Sequence, residues 1–216
     1  RYSAEQNTQI RKAEVVLQLS GDATAKVNTA YAGLQYENGD LNFYLNKPSD
    51  DQRKWLQQNT SIPSFDITTF NMVNNKDKIP SAVVNVDLIL KRFATVSGKR
   101  LFMTPNLMNR STYIPEKLES RKTNIVKKVG YTDLDIIEYI LPEGIYPEFL
   151  PNAIKLNSRF GAYEATYVLT NGHLVYTRKL IMNKGEFPAE SYNELIEFYK
   201  NLSKADNTKI VFLSKT

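Results

Sequence analysis

Between Tyr163 and Met182 the chain reads YEATYVLTNGHLVYTRKLIM, two runs rich in β-branched and aromatic residues on either side of Asn171-Gly172. A two-residue type I′ turn needs positive φ at both central positions, and Asn-Gly adopts it with little strain. The turn then dictates the pairing. Leu169 faces Leu174, Tyr167 faces Tyr176, Ala165 faces Arg178 and Tyr163 faces Leu180, all on one side of a hairpin. Thr166 opposite Thr177 and Glu164 opposite Lys179 share the other side. A slip of one residue would exchange the two faces, so apolar pattern and turn chemistry have to agree, and here they do.

Alternation of the same kind predicts strands over 14–20 and 24–36, joined at Gly21-Asp22, and over 66–72, 82–95, 100–103, 135–141 and 207–213. Two helices interrupt them. Ser49-Asp50-Asp51-Gln52 predicts a capping box opening a helix over 49–59, with Asp50 and Asp51 as first-turn acids. Pro188 suits the first turn of a second helix over 188–204, where Tyr192, Leu195, Ile196, Tyr199 and Leu202 form an apolar stripe. Strands that follow one another with helices as accessories predict a mainly β chain, an antiparallel β-sandwich. A seam at 110–119 divides it into a first β-rich segment, 1–115, and a C-terminal β-segment, 116–216, that holds the hairpin and the second helix. The two segments can also build one continuous sandwich.

The 216 residues are 42% hydrophobic, with 13 Tyr and 10 Phe, enough to bury a core and to exclude a disordered chain. The net charge of +5 is dispersed, and the basic pairs Arg11-Lys12, Lys91-Arg92, Arg121-Lys122 and Lys127-Lys128 lie far apart. That pattern describes a solvated surface rather than a nucleic-acid footprint. The absence of cysteine excludes thiol catalysis, thiolate metal sites and disulfides. No stretch approaches the roughly 20 apolar residues of a membrane-spanning helix. The start at Arg1, in polar sequence, suits a mature protein or a piece of a longer one.

Candidate chemistry is sparse. His173, the single histidine, follows the hairpin turn and reads as an exposed turn residue, without a second histidine to share a metal. Asp133 and Asp135, two apart on a strand, point the same way; they read as solvent-facing charges protecting a sheet edge. Tyr31, Tyr36, Tyr44, Trp55, Tyr113, Tyr131, Tyr139 and Tyr146 supply either core or a sugar-binding platform. No catalytic residue, cofactor site or metal site emerges. Arg178 is the one residue singled out. It falls on the apolar face of the hairpin, so it should meet a carboxylate (Asp135, Glu138 or Glu197 are the candidates), backbone carbonyls or aromatic faces from another segment, or else line a cleft and bind an anionic ligand.

Pro142-Glu143-Gly144, Leu150-Pro151, Phe160-Gly161-Ala162-Tyr163, Arg178, Phe187-Pro188, Tyr192, Phe198, Ala205-Asp206-Asn207 and Ile210-Val211-Phe212-Leu213 form a string with a known likeness. It resembles the C-terminal region of transglutaminase-like proteins of Bacteroides-type bacteria. The resemblance covers 116–216 and extends more loosely to Asn71, Pro80, Gly98 and Pro105. In that family a transglutaminase-like core with Cys, His and Asp precedes a domain of unknown function. This chain holds no cysteine, so no catalytic residue carries over. The resemblance implies a non-catalytic accessory β-sandwich with an upstream core in the same polypeptide as its partner. It also implies export to the periplasm or cell surface of a Gram-negative bacterium. The alternative is an autonomous carbohydrate- or peptide-binding module.

Overall fold

The computed structural model describes residues 2–118 and 120–215; Glu119, at the end of the expected seam, lies outside them, as do Arg1 and Thr216. The first half contains β1 (Thr8–Leu17), β2 (Ala23–Ala32), α1 (Leu41–Tyr44), α2 (Ser49–Asn59), β3 (Phe65–Asn75), β4 (Ser81–Leu90), β5 (Thr95–Ser97) and β6 (Arg100–Met103). The second contains β7 (Ile125–Lys127), β8 (Tyr131–Ile140), β9 (Ile145–Phe149), β10 (Ile154–Ser158), β11 (Gly161–Thr170), β12 (His173–Met182), β13 (Gly185–Phe187), α3 (Tyr192–Asp206) and β14 (Ile210–Ser214).

Eight strands form one sheet in the order β10-β11-β12-β8-β1-β2-β4-β3, and four form another in the order β5-β6-β14-β9. β7 and β13 make a separate ribbon. The inward face of the large sheet carries Val15, Leu17, Val27, Val86, Leu88, Ile137, Tyr139, Leu174 and Tyr176. These pack in one core with Leu101, Met103, Ile210 and Phe212 of the small sheet, Trp55 and Leu56 of α2, and Phe198 and Leu202 of α3. The protein is therefore mainly β, a sandwich-like fold with one broad sheet faced by a smaller sheet and helices. The large sheet and this core both draw on residues from either side of the expected seam.

The hairpin has the register its turn demands, from Gly161 opposite Met182 to Thr170 opposite His173. Asn171 and Gly172 take φ of 50° and 77°, as a type I′ turn requires. Elsewhere the structure corrects the sequence reading. β1 pairs with β2 antiparallel but with β8 parallel, from Thr8 beside Thr132 to Val16 beside Ile140. A parallel pair needs a long crossover, here everything between β1 and β8, and no local turn signals it. The capping box at Ser49 is not made. Pro48 is the N-cap and its carbonyl accepts from the Asp51 and Gln52 N–H groups, while the Gln52 side chain donates back to the Tyr44 and Leu45 carbonyls. The second helix begins at Tyr192, after a single 3-10 turn, and its buried residues are Leu195, Phe198, Leu202, Ala205 and Asp206. That face is rotated away from Ile196 and Tyr199, which stay half-exposed. β2 ends at Ala32, where Gly33 turns the chain into 3-10 structure instead of continuing to Tyr36.

Candidate functional site

The pairings of β11, β12, β8, β1, β2 and β4 set Ala165, Arg178, Asp135, Arg11, Thr29 and Val84 in one row across the buried face. The middle of that row is ionic. Arg178 donates through Nε and Nη2 to the two oxygens of Asp206 at 2.8 and 3.0 Å, and through Nη1 to Asp135 Oδ2 at 3.4 Å. Arg11 donates from Nη1 to Asp135 Oδ1 at 3.1 Å and from Nε to Thr29 Oγ1 at 3.2 Å. Asp206 also accepts from the Tyr163 hydroxyl and the Ser111 N–H, each at 2.9 Å. The Asn109 amide donates to both Asp135 oxygens at 3.0 Å.

Charge is taken out of water here at a desolvation cost that only dense pairing offsets. Two cations meet two anions, and each carboxylate oxygen has at least two donors. The Arg178 guanidinium also lies over the Tyr163 ring, 5.5 Å from its centre. Burial alone would favour a neutral Arg178, but its hydrogen bonds to Asp206 and the charges of Asp206 and Asp135 outweigh this and raise its pKa. Asp206 ends α3, where the helix dipole disfavours an anion; the bidentate Arg178 overcomes that.

Of the three acids expected as partners for Arg178, the structure brings in Asp135. Glu138 lies on the opposite face, 2.8 Å from His173 Nδ1, and Glu197 is exposed near Lys200. Asp206 was missed. Its signal was its place in the helical stripe, four residues after Leu202 and eight after Phe198. The edge role expected for Asp133 and Asp135 is overturned, because β8 is flanked by β12 and β1, and Asp135 is 3% exposed. Among the expected aromatics, Tyr31, Trp55 and Tyr139 are core, while Tyr113 and Tyr146 are exposed. Among the described residues no group of three or more histidine or acidic side chains could hold a metal ion.

Beside the ionic row, two residues earlier on β1 and β8, a pocket of about 550 Å³ opens. Asn7, Gln9, Gln35, Asn38, Asn109, Tyr131 and Asp133 supply its polar lining. Asn7 fixes its floor: fully buried, it donates to the Gly130 carbonyl at 2.8 Å and accepts from the Leu34 N–H at 2.9 Å. Gly33 makes this approach possible. Its φ is +62°, and a Cβ there would stand 2.5 Å from Asn7 Oδ1.

The polarity of the pocket is inherited from the carboxylates. An ionised carboxylate only accepts, so Asn109 must turn its NH₂ to Asp135, which leaves its oxygen to accept from Gln9 Nε2 at 3.1 Å. The Gln9 oxygen is then left over. In the same way Gln35 donates to Asp133 Oδ1 at 2.8 Å and accepts from the Asn38 NH₂, leaving the Asn38 oxygen. Gln9 Oε1, Asn38 Oδ1 and Asp133 Oδ2 thus have no donor among the described residues, and all three are acceptors. Burial pushes the Asp133 carboxyl up to about 6, with the Asp135 charge adding to it and Arg178, Arg11 and Gln35 holding it back. Burial likewise raises the Tyr131 phenol. Such a pocket suits a group that brings several N–H or O–H donors.

The fold and this site define a β-sandwich-like protein with an ion-paired core beneath an acceptor-lined pocket. Residues 99–212 match a domain family of unknown function with a solved structure, DUF3858, and the chain belongs to that family. The match includes Asn109, Asp133, Asp135, Arg178 and Asp206 but not Arg11, Gln9 or Gln35, so the site is completed by residues outside it. Comparison of the chain with curated proteins and with solved structures gives no match. No helix among the described residues is long and apolar enough to cross a membrane.

Proposed function

We propose that this chain is a non-catalytic binding module whose pocket at Asp133 holds a donor-bearing group of a glycan or peptide. The observation that carries the reading is the set of three unpartnered acceptors, Gln9 Oε1, Asn38 Oδ1 and Asp133 Oδ2, oriented by buried carboxylates. Preorganised acceptors recognise donors without reorganising, which is how a small number of polar groups confers specificity. The outer face of the large sheet is a poorer candidate: its depression is lined by Lys12, Glu14, Lys26, Asn28, Asn85, Asp87 and Glu138, with no ring for a sugar to stack on.

An NMR titration with N-acetyl-lysine amide, a lysine dipeptide and a chito-oligosaccharide tests this. At least one should shift the resonances of Gln9, Gln35 and Asp133, and Asp133→Asn should weaken binding about tenfold or more while the fold persists. Affinity should fall as the pH drops through about 6, because protonation removes the charge and makes one carboxyl oxygen a donor. Absence of any shift in the pocket with all three probes would overturn the reading.

The likeness to transglutaminase-like proteins favours a setting for this module, as the accessory domain of an exported protein with a catalytic core of its own. A separate observation supports it: Tyr113 and Ile114 are 64% and 47% exposed. Tyr113 stands edge-on to Tyr199 of α3, and β7 places Lys127 beside the same ring. Exposed apolar side chains of this kind suit a docking face for such a core. A reading frame upstream that encodes no Cys-His-Asp core would refute that setting.

A further inference from the structure

Thr104, Asn106, Leu107 and Arg110, from the segment whose Asn109 lines the acceptor-lined pocket, line a second cleft, of about 210 Å³. Its polar lining reverses that of the first. Lys91, Arg92, Arg110 and Lys209 surround it, with Asn106 and Thr104 between them. Lys91 is neutralised by Asp66 at 2.8 Å, and Asp22 is engaged by the Arg92 backbone N–H, also at 2.8 Å. That leaves the side chains of Arg92, Arg110 and Lys209 without an ion pair or hydrogen bond among the described residues.

The decisive feature is Asn106. It is 3% exposed, its oxygen accepts from the Asn109 N–H at 2.9 Å, and its NH₂ is buried with no partner among the described residues. The Asn109 N–H can only donate, so the amide orientation is fixed and the orphan is a donor. A buried donor with no acceptor is destabilising and rare in folded proteins. A second irregularity lies at the rim: Arg92 is held at φ +52°, a strained conformation for a long side chain, within the turn after β4.

We propose that this cleft binds a phosphate or sulfate group. Its oxygens would accept from the Asn106 NH₂ and from the half-buried Arg110, whose planar fork matches two oxygens at once. Arg92 and Lys209 complete the charge from the exposed side. A tetrahedral dianion satisfies three unpaired cations and a buried orphan donor together; a carboxylate offers half the charge and fewer oxygens. The site is distinct from the pocket at Asp133, since the two have no lining residue in common.

Calorimetric titration of the whole chain at low ionic strength, with inorganic phosphate, sulfate and acetate, tests the assignment. Phosphate or sulfate should bind saturably, and acetate about tenfold more weakly. Arg110→Gln and Asn106→Asp should each weaken phosphate binding about tenfold or more; the aspartate keeps the acceptor for the Asn109 N–H but replaces the donor with a repelling charge. Lys209→Gln, at an exposed position, guards against loss of folding and should weaken binding in the same direction. Sedimentation with phosphatidic acid vesicles separates two sources of the group: binding competed by free phosphate points to a lipid headgroup, whereas phosphate binding without sedimentation points to a soluble ester. No saturable phosphate or sulfate binding, or folded variants that bind as the parent does, would overturn the proposal.

Discussion

Arg178 shows how far one residue can be placed from sequence and where the inference stops. The Asn-Gly turn put it on an apolar face, and a guanidinium there had to find carboxylates, carbonyls or aromatic rings. Asp135 was nameable because it lies on a neighbouring strand pattern. Asp206 was not, because its partnership depends on how α3 lies across the sheet, which no local pattern encodes. Arg11, expected with Lys12 on a solvated surface, is instead 3% exposed, and its burial follows from the parallel pairing of β1 with β8. The quartet predicts non-additive energetics. Arg178→Met leaves Asp206 and Asp135 short of a cation and should cost about 3–5 kcal/mol. Adding Asp206→Leu removes one stranded anion and should recover more than half of that loss. Chemical denaturation of the single and double variants measures it; a double variant as unstable as the sum of the singles would show that the two residues do not act as a pair.

Elements with a local cause were read well, and those with a distant cause were not. The hairpin of β11 and β12 and the bounds of β6 follow from turn residues and alternation, whereas α2 has its expected span although the capping box that predicted it is not made. β9 and β10 were passed over because Pro147 and short polar alternation hide them until β14 and β11 provide edges to pair with. α3 is intermediate: its period was plain, but its orientation was set by what it covers. Phe198 and Leu202 enter the main core, whereas Leu195 joins Ile125 and Phe160 in a satellite cluster. Phe198→Ala should therefore cost about 3–5 kcal/mol and Ile196→Ala less than about 1 kcal/mol. Equal shifts in the denaturation midpoints would mean that the face of the helix is not the one described.

For the whole molecule, the large sheet and the main core both cross the expected division at residue 115. Val15, Val27 and Val86 from before it share a core with Ile137, Tyr176 and Phe212 from after it. A fragment of residues 1–115 should consequently lack cooperative unfolding and show collapsed amide dispersion in its NMR spectrum. A sharp thermal transition in that fragment would refute this. Both polar sites follow the same logic, because each is assembled from segments on the two sides of the seam, and only their local amide chemistry is visible in short stretches of sequence.

The contact between Arg11 and Asp135 spans 124 positions. During synthesis, at about 5–20 residues per second, Arg11 is added to the chain about 6–25 s before its counter-ion. Throughout that interval β1 has an open edge, and a full positive charge stands where apolar neighbours will later close in. Early docking of the first strands against one another is thereby penalised until β8 arrives. The same delay exposes an unpaired edge to other nascent chains, so a translational pause between these two positions prolongs the time in which β1 can mispair.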